Sequence, residues 1–450
     1  MCGYCQYALI NYSRYITISS RGNNGGDNMI EKFEREYLDY YWKNKTFQWK
    51  NYFENGNYNL SSIDADIYKI ATKYNNLLQS AGGKSKIACS LIQKDLVDKN
   101  PVVSNLRNRI DNLENYTENI APDLDRNNYL IEISSRMKKD VLGLMNNRNN
   151  LAKQLGYPSY PDLILSTEEI DKYKLVNLLN EYVNFNLPTV KELICKYKIK
   201  WESWFSDLNN ITSPVENLNY TDIINQFVDK MGLNIDYNKM QIIFNSQEIA
   251  GEASQLSPDD IRIVVSPIRS LADLTTLFHE LGHAISYFYN KEEGLYKIPS
   301  PCYDEAMAVV IEHIAPKVLF NDIIQERAAE LQLLEYTRCA VSSLFEFELW
   351  EEPENADNLY IKHYGRLGFN INNPIIWAYD SFRSIDPVYI HNYVIGAVLA
   401  KKLITYFEKT YYSDYREWGS WLVKNIYDSP RKDILDILRT NPRIHKINGE

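Results

Sequence analysis

Long apolar runs are missing from this sequence, because charges and asparagines interrupt every candidate. No stretch approaches the roughly 18 uninterrupted apolar residues that a membrane-spanning helix needs, so no membrane partner is expected. Cysteine is scarce: six in 450 residues, at positions 2, 5, 89, 195, 302 and 339, are too dispersed for the disulfide framework of a small secreted scaffold. A reducing cytoplasm suits that usage. Basic charge is in deficit, with 49 Lys and Arg against 59 Asp and Glu and a net charge of −10, which argues against nucleic acid as a main partner. The segment from Met1 to Asp27 lacks a basic region followed by a clean apolar run, so no secretory signal is expected.

What remains is ample for a folded core, since 45% of the residues are hydrophobic. The Gly/Asn-rich run Arg21 to Asn28 reads as a linker, making residues 1–28 a disordered leader. The Cys2 and Cys5 pair lies inside that leader with no second pair, so it is not expected to bind metal. From Met29 to about 235 the apolar positions recur at helical spacing, as in Leu106, Ile110 and Leu113, and a helical lobe is expected there. Its breaks are placed at Gly82-Gly83, Pro101, Gly156 to Pro158, Pro188 and Pro214. Residues 236–450 form the second region, which opens with two β-rich runs, Met240 to Phe244 and Ile261 to Val265, joined by a connection containing Gly251, Ser257 and Pro258. After them Ser270 and Asp273 have the form of a capping box, and Leu274, Leu277, Phe278, Leu281 and Ile285 continue as a helix.

That helix carries His279-Glu280-Leu281-Gly282-His283. Histidines four apart project from one helix face and can hold a single Zn²⁺, and Glu280 beside them can take a proton from a metal-activated water. One zinc per chain and peptide hydrolysis are the expectation, with short peptides as partners. A catalytic zinc needs a third protein ligand. No histidine follows at short spacing, the next being His313. Glu305 is the choice, on an apolar helix after the Pro299/Pro301 loop, where a metal would compensate a buried carboxylate; a carboxylate merely favoured by the helix N-terminus is the alternative. Asp304 competes, but in a helix it points about 100° from Glu305, so its removal is expected to leave zinc binding largely intact. Glu312, on the Glu305 face, can accept the free N–H of a zinc-binding histidine.

These residues resemble the gluzincin peptidase superfamily that includes thimet oligopeptidase, oligoendopeptidase F, angiotensin-converting enzyme and carboxypeptidase Taq. The resemblance is strongest over residues 250–400: Leu256 to Ile263 before the His279 motif, then Glu305 with Glu312, then Tyr393 to Ala400. It implies a mainly α, two-lobed helical ellipsoid with a deep cleft and a small sheet beside the zinc-binding helix. It also implies a hydroxyl donor to the reacting carbonyl: Tyr393, with Tyr389 and His391 as alternatives. Arg262 is similar in position to an arginine that would hold a substrate C-terminus, and is otherwise a strand decoration. Asp304-Glu305-Ala306-Met307 departs from the H-E-S-Q pattern of carboxypeptidase Taq. Endopeptidase, carboxypeptidase and peptidyl-dipeptidase modes all stay open, as does a peptide-binding protein that keeps the zinc site without turnover.

Overall fold

A computed structural model describes residues 25–427, apart from 55, 76–83, 118–124, 210, 212–218 and 245–250. The expected leader and its Cys2/Cys5 pair lie outside the described residues up to position 24, and helix α1 (Gly25–Phe53) already begins at Gly25. It is followed by α2 (Leu60–Lys73), α3 (Lys84–Asp98), α4 (Pro101–Asp111), α5 (Glu114–Thr117), α6 (Arg126–Gln154), α7 (Tyr160–Thr167), α8 (Lys172–Tyr197), α9 (Trp204–Asn209) and α10 (Tyr220–Lys230). Asparagine and aspartate account for many of these starts. The side chains of Asn59, Asn100, Asp125, Asp171 and Asn219 each accept the exposed backbone N–H groups of a first turn. Pro188 does not break its helix as expected, but sits inside α8. Buried Leu179 and Val183 before it and Val190 and Leu193 after it form one apolar face, and that burial against the body of the protein outweighs the lost backbone bond.

The sheet has three strands where two were expected. Strand β1 (Met240–Phe244) pairs in parallel with β3 (Asp260–Val265), and β3 pairs antiparallel with β2 (Gly251–Ser257), in the order β1-β3-β2. Strand β2 occupies the segment expected as a connection. Its Glu252, Ser254 and Gln255 are poor strand formers, yet Glu252 to Leu256 are all buried, so tertiary burial and not local pattern makes it a strand.

Beyond β3 come α11 (Leu271–Tyr289), α12 (Pro301–Leu319), α13 (Asp322–Glu351), α14 (Ala356–Gly365), α15 (His391–Tyr411) and α16 (Tyr415–Leu422). The capping box forms as read: the Ser270 hydroxyl accepts from Asp273 N–H while the Asp273 carboxylate accepts from Ser270 N–H. Ser300 caps α12 with Pro301 at its first position. Among the described residues no helix is long and apolar enough to cross a membrane.

Two apolar clusters organise the interior. The larger runs from Val97 to Tyr427, across both halves of the chain; the smaller joins α1, α2 and α3 to Leu295 and Ile298. Trp49 of α1 links the two halves by packing on Leu256 and Val264 of the sheet. At the centre three helices touch through glycine. A Cβ on Gly282 of α11 would meet Ala308 Cα of α12 at 2.7 Å, and one on Gly396 of α15 would meet Ala306 Cα at 3.1 Å. These contacts bring α11, α12 and α15 to backbone distance and fix where their side chains meet.

Candidate metal centre

The helical repeat of α11 puts His279 and His283 one turn apart on its α12-facing side, with ring centroids 5.0 Å apart and both side chains buried. Glu305, near the start of α12, comes up between them. Its Oε2 lies 3.3 Å from His279 Nε2 and 3.8 Å from His283 Nε2. Four-coordinate zinc with bonds of about 2.1 Å holds its ligand atoms roughly 3.4 Å apart, so the spacing suits one such ion. The same Glu305 Oε2 is fully buried and has no hydrogen-bond partner among the described residues. A buried carboxylate oxygen facing two imidazole nitrogens with nothing to satisfy it is the arrangement a cation completes. Among the described residues, His279, His283 and Glu305 form the cluster whose ligand atoms all lie within 4.8 Å of one another.

The far sides of these groups are held by other carboxylates. His279 Nδ1–H donates to Glu312 Oε2 at 3.1 Å, and the same oxygen accepts from Tyr336 O–H at 2.5 Å. His283 Nδ1–H donates to Asp304 Oδ1 at 3.0 Å, while Asp304 Oδ2 accepts from Tyr287 O–H at 2.9 Å. Since a carboxylate only accepts, these bonds turn both Nε2 atoms toward Glu305. Helical phase alone turns Asp304 away from the centre; in the fold it reaches one turn along α11 and takes His283. Tyr389 O–H donates to Glu305 Oε1 at 2.5 Å, fixing the third group as well. Burial works to lower the pKa of His279, but the nearby carboxylates of Glu305 and Glu312 prevail and hold it well above the usual imidazole value.

Glu280 is buried on the neighbouring face of α11, where strand β2 leans on it. Ala253 N–H bonds its carboxylate, and a Cβ on Gly251 would meet Glu280 Cγ at 3.0 Å, so glycine is required for that approach. Burial raises the Glu280 carboxyl above its ordinary value, which favours a group able to take and return a proton. Two further ionisable groups sit near it that the sequence did not single out. Burial pushes Glu252 of β2 up to about 8, and burial pulls Lys45 of α1 down to about 8 against the opposing field of Glu252 and Asp304.

A fold of stacked helices with a small sheet feeding the His279 helix can be compared directly with known structures. It matches PZ peptidase A in complex with an inhibitor, with a TM-score of 0.59 and 13% identity over 86% of this chain and 85% of that one. An oligoendopeptidase F from Bacillus anthracis str. Ames matches with a TM-score of 0.54 and 15% identity, over 86% of this chain and 85% of that one. Metallocarboxypeptidase 1 of Trypanosoma cruzi matches with a TM-score of 0.53 and 12% identity, over 94% and 96%. The fold is the helical one that these three peptidase structures share. No protein-family model matches the chain, and no curated protein does.

Within this fold the remaining sequence candidates separate clearly. Tyr393, on α15, places its ring 5.8 Å from that of His279 and lines a cavity of about 160 Å³ shared with His279 and Glu312. Burial raises its phenol above the ordinary value, keeping it a proton donor. Tyr389 belongs to Glu305. His391 faces Phe347 with ring centroids 6.2 Å apart, is 1% exposed, and its Nε2 has no hydrogen-bond partner among the described residues. Arg262 is held by two bonds of 2.9 Å to Asp260 and by Glu54, and lies 5.8 Å from the Trp49 ring, so its partners come from α1 and β3 and not from the helices of the centre. Tyr287 could have been found from sequence, being four residues after His283 on the same helical face. Tyr336 carried no such signal, and Tyr389, expected as an alternative carbonyl donor, is engaged by Glu305 instead.

Proposed function

We propose that this chain is a zinc-dependent peptidase that hydrolyses short peptides, with Zn²⁺ held by His279, His283 and Glu305. The observation that carries the reading is the unsatisfied, buried Glu305 Oε2 facing both Nε2 atoms. A gluzincin-type fold supports it, as does the inhibitor complex known for PZ peptidase A. Zinc bound there would polarise a carbonyl and lower the pKa of a water towards about 7. Glu280 then accepts the proton of the attacking water and returns it to the leaving amine, a task suited to a carboxyl raised by burial. Tyr393 O–H donates to the carbonyl oxygen as its charge grows. Asp304 and Glu312 keep the imidazoles in the tautomer that leaves Nε2 free for the metal. Residues 29–235 and 236–450 act together as one peptidase unit, and a reducing cytoplasm suits the sparse, dispersed cysteines.

The test is metal analysis together with digestion of a mixed peptide library by the native chain and by Glu280→Gln. The reading expects about one zinc per chain, cleavage that chelator abolishes, and a variant that keeps zinc but not turnover. Undiminished cleavage by metal-free protein overturns it, and peptide binding without cleavage by the native chain makes it a binding protein instead.

A further inference from the structure

The cavity beside His279 is walled in part by a cation whose donors are only partly used. Arg338 of α13 is buried, its side chain 7% exposed. Its Nε donates to both Glu335 oxygens at 3.2 and 3.1 Å, and its Nη2 donates to Glu335 Oε1 and, at 3.6 Å, to Cys339 Sγ. Glu335 is itself tied down by Trp204 Nε1–H at 3.2 Å, and the guanidinium lies 5.1 Å from the Phe205 ring. Nη1 has no acceptor within hydrogen-bonding reach among the described residues. A rigid planar guanidinium is therefore clamped through Nε and Nη2 and open at Nη1.

Arg338 lines the same cavity of about 160 Å³ as His279, Glu312 and Tyr393, and also borders a second of about 100 Å³ with Trp204, Tyr364 and Asp380. Each acid in that wall is already engaged. Asp273 accepts from the N–H groups of Arg269 and Ser270, Glu312 accepts from His279 and Tyr336, and Glu335 accepts from Arg338 and Trp204. The polar capacity left over is thus positive and sits on the two hydrogens of Nη1, a charged donor that suits a carboxylate oxygen. The volume is comparable with the roughly 150 Å³ cavity that takes a benzene ring, leaving room for a side-chain-sized group.

The geometry points to an anion subsite in which Arg338 Nη1 receives a carboxylate of the bound peptide, either its C-terminus or an acidic side chain. The inference rests on the peptidase reading for its ligand class. A charge-assisted bond in a buried site gives about 10–100-fold preference for the charged over the neutral form of a peptide.

Binding is measured by fluorescence anisotropy of labelled peptides on the full-length, zinc-loaded Glu280→Gln chain, where turnover does not intrude. Peptides come in matched pairs: free C-terminus against C-terminal amide, and Asp or Glu against Asn or Gln along the chain. One kind of pair should differ by about 10–100-fold, and which kind identifies the carboxylate. Removing Arg338 alone would strand buried Glu335, so the deciding variant adds Arg338→Gln with Glu335→Gln, taking both charges of the pair together. The ratio then falls to near one, while Arg338→Lys keeps part of it. Equal binding within every pair, a ratio that survives in the doubly substituted pair, or no peptide binding at all overturns the subsite. Failure of the peptidase reading shows separately, as native protein that binds the paired peptides selectively but cuts none.

Discussion

Asp304→Ala is the substitution on which helical phase and tertiary geometry disagree. Helical phase alone makes Asp304 a bystander to Glu305, whereas the fold gives its Oδ1 to His283 Nδ1–H at 3.0 Å and its Oδ2 to Tyr287 at 2.9 Å. Alanine leaves the His283 ring without its tether and its Nδ1–H without the acceptor that makes Nε2 a better donor to metal. Loss of such an outer partner lowers metal affinity by about 10–100-fold, or roughly 1.4–2.8 kcal/mol. Two assays read this independently. Competition with a chromophoric chelator gives the zinc affinity directly, and the extra stability conferred by saturating zinc should shrink by the same free energy. Glu305→Ala provides the upper reference, since it removes a ligand outright. An Asp304→Ala chain that binds zinc as tightly as the native one refutes the argument; one as deficient as Glu305→Ala makes Asp304 a ligand.

Gly282→Ala should disturb the centre without touching a ligand, because its Cβ would lie 2.9 Å from the Ala308 and Met307 carbonyl oxygens; overpacking of this kind costs about 1–3 kcal/mol. Native thermal stability and native zinc affinity in that variant would disprove the close approach. Tyr393→Phe should lower kcat by about 10²–10³-fold with zinc content unchanged, as expected for the loss of one oxyanion donor, and an unchanged kcat moves the role elsewhere. His391 gives a pH signature. Burial holds it down to about 3 from an ordinary 6.5, so the unfolded chain takes up a proton that the folded chain refuses. Its stabilising contribution is complete above pH 6.5 and declines as pH falls from there toward 3, by about 2 kcal/mol at pH 5. Urea unfolding at pH 7.5 and 5 should show a smaller decline in His391→Asn than in the native chain; equal declines would show that burial does not hold His391 neutral.

Some of this architecture was readable because short-range rules produce it. The Ser270/Asp273 box, the spacing of His279 and His283, and the Ser300-Pro301 start of α12 are set by residues within a turn of one another. Strand β2 was hidden for the opposite reason: Glu252, Ser254 and Gln255 read as a loop until the helices that bury them are in place. Pro188 misled likewise, since a buried stripe can carry a helix through a residue that breaks an isolated one. Tyr389 meets Glu305 across 84 positions of sequence and Tyr336 meets Glu312 across 24, distances at which no periodicity speaks.

The three acids of α12 also set rules for how chain length here can vary. Asp304 serves His283, Glu312 serves His279, and Glu305 lies between both, so the two antiparallel helices are read against each other like the scales of a vernier. The loop from Asn290 to Ser300 lies outside that scale, and a residue added at exposed Lys291 or Glu293, away from buried Leu295 and Ile298, leaves the graduations aligned. The interval from Glu305 to Glu312 has no such freedom. A single inserted residue there would swing Glu312 by about 100° and leave His279 without its partner, even though every side chain named in the centre would still be present.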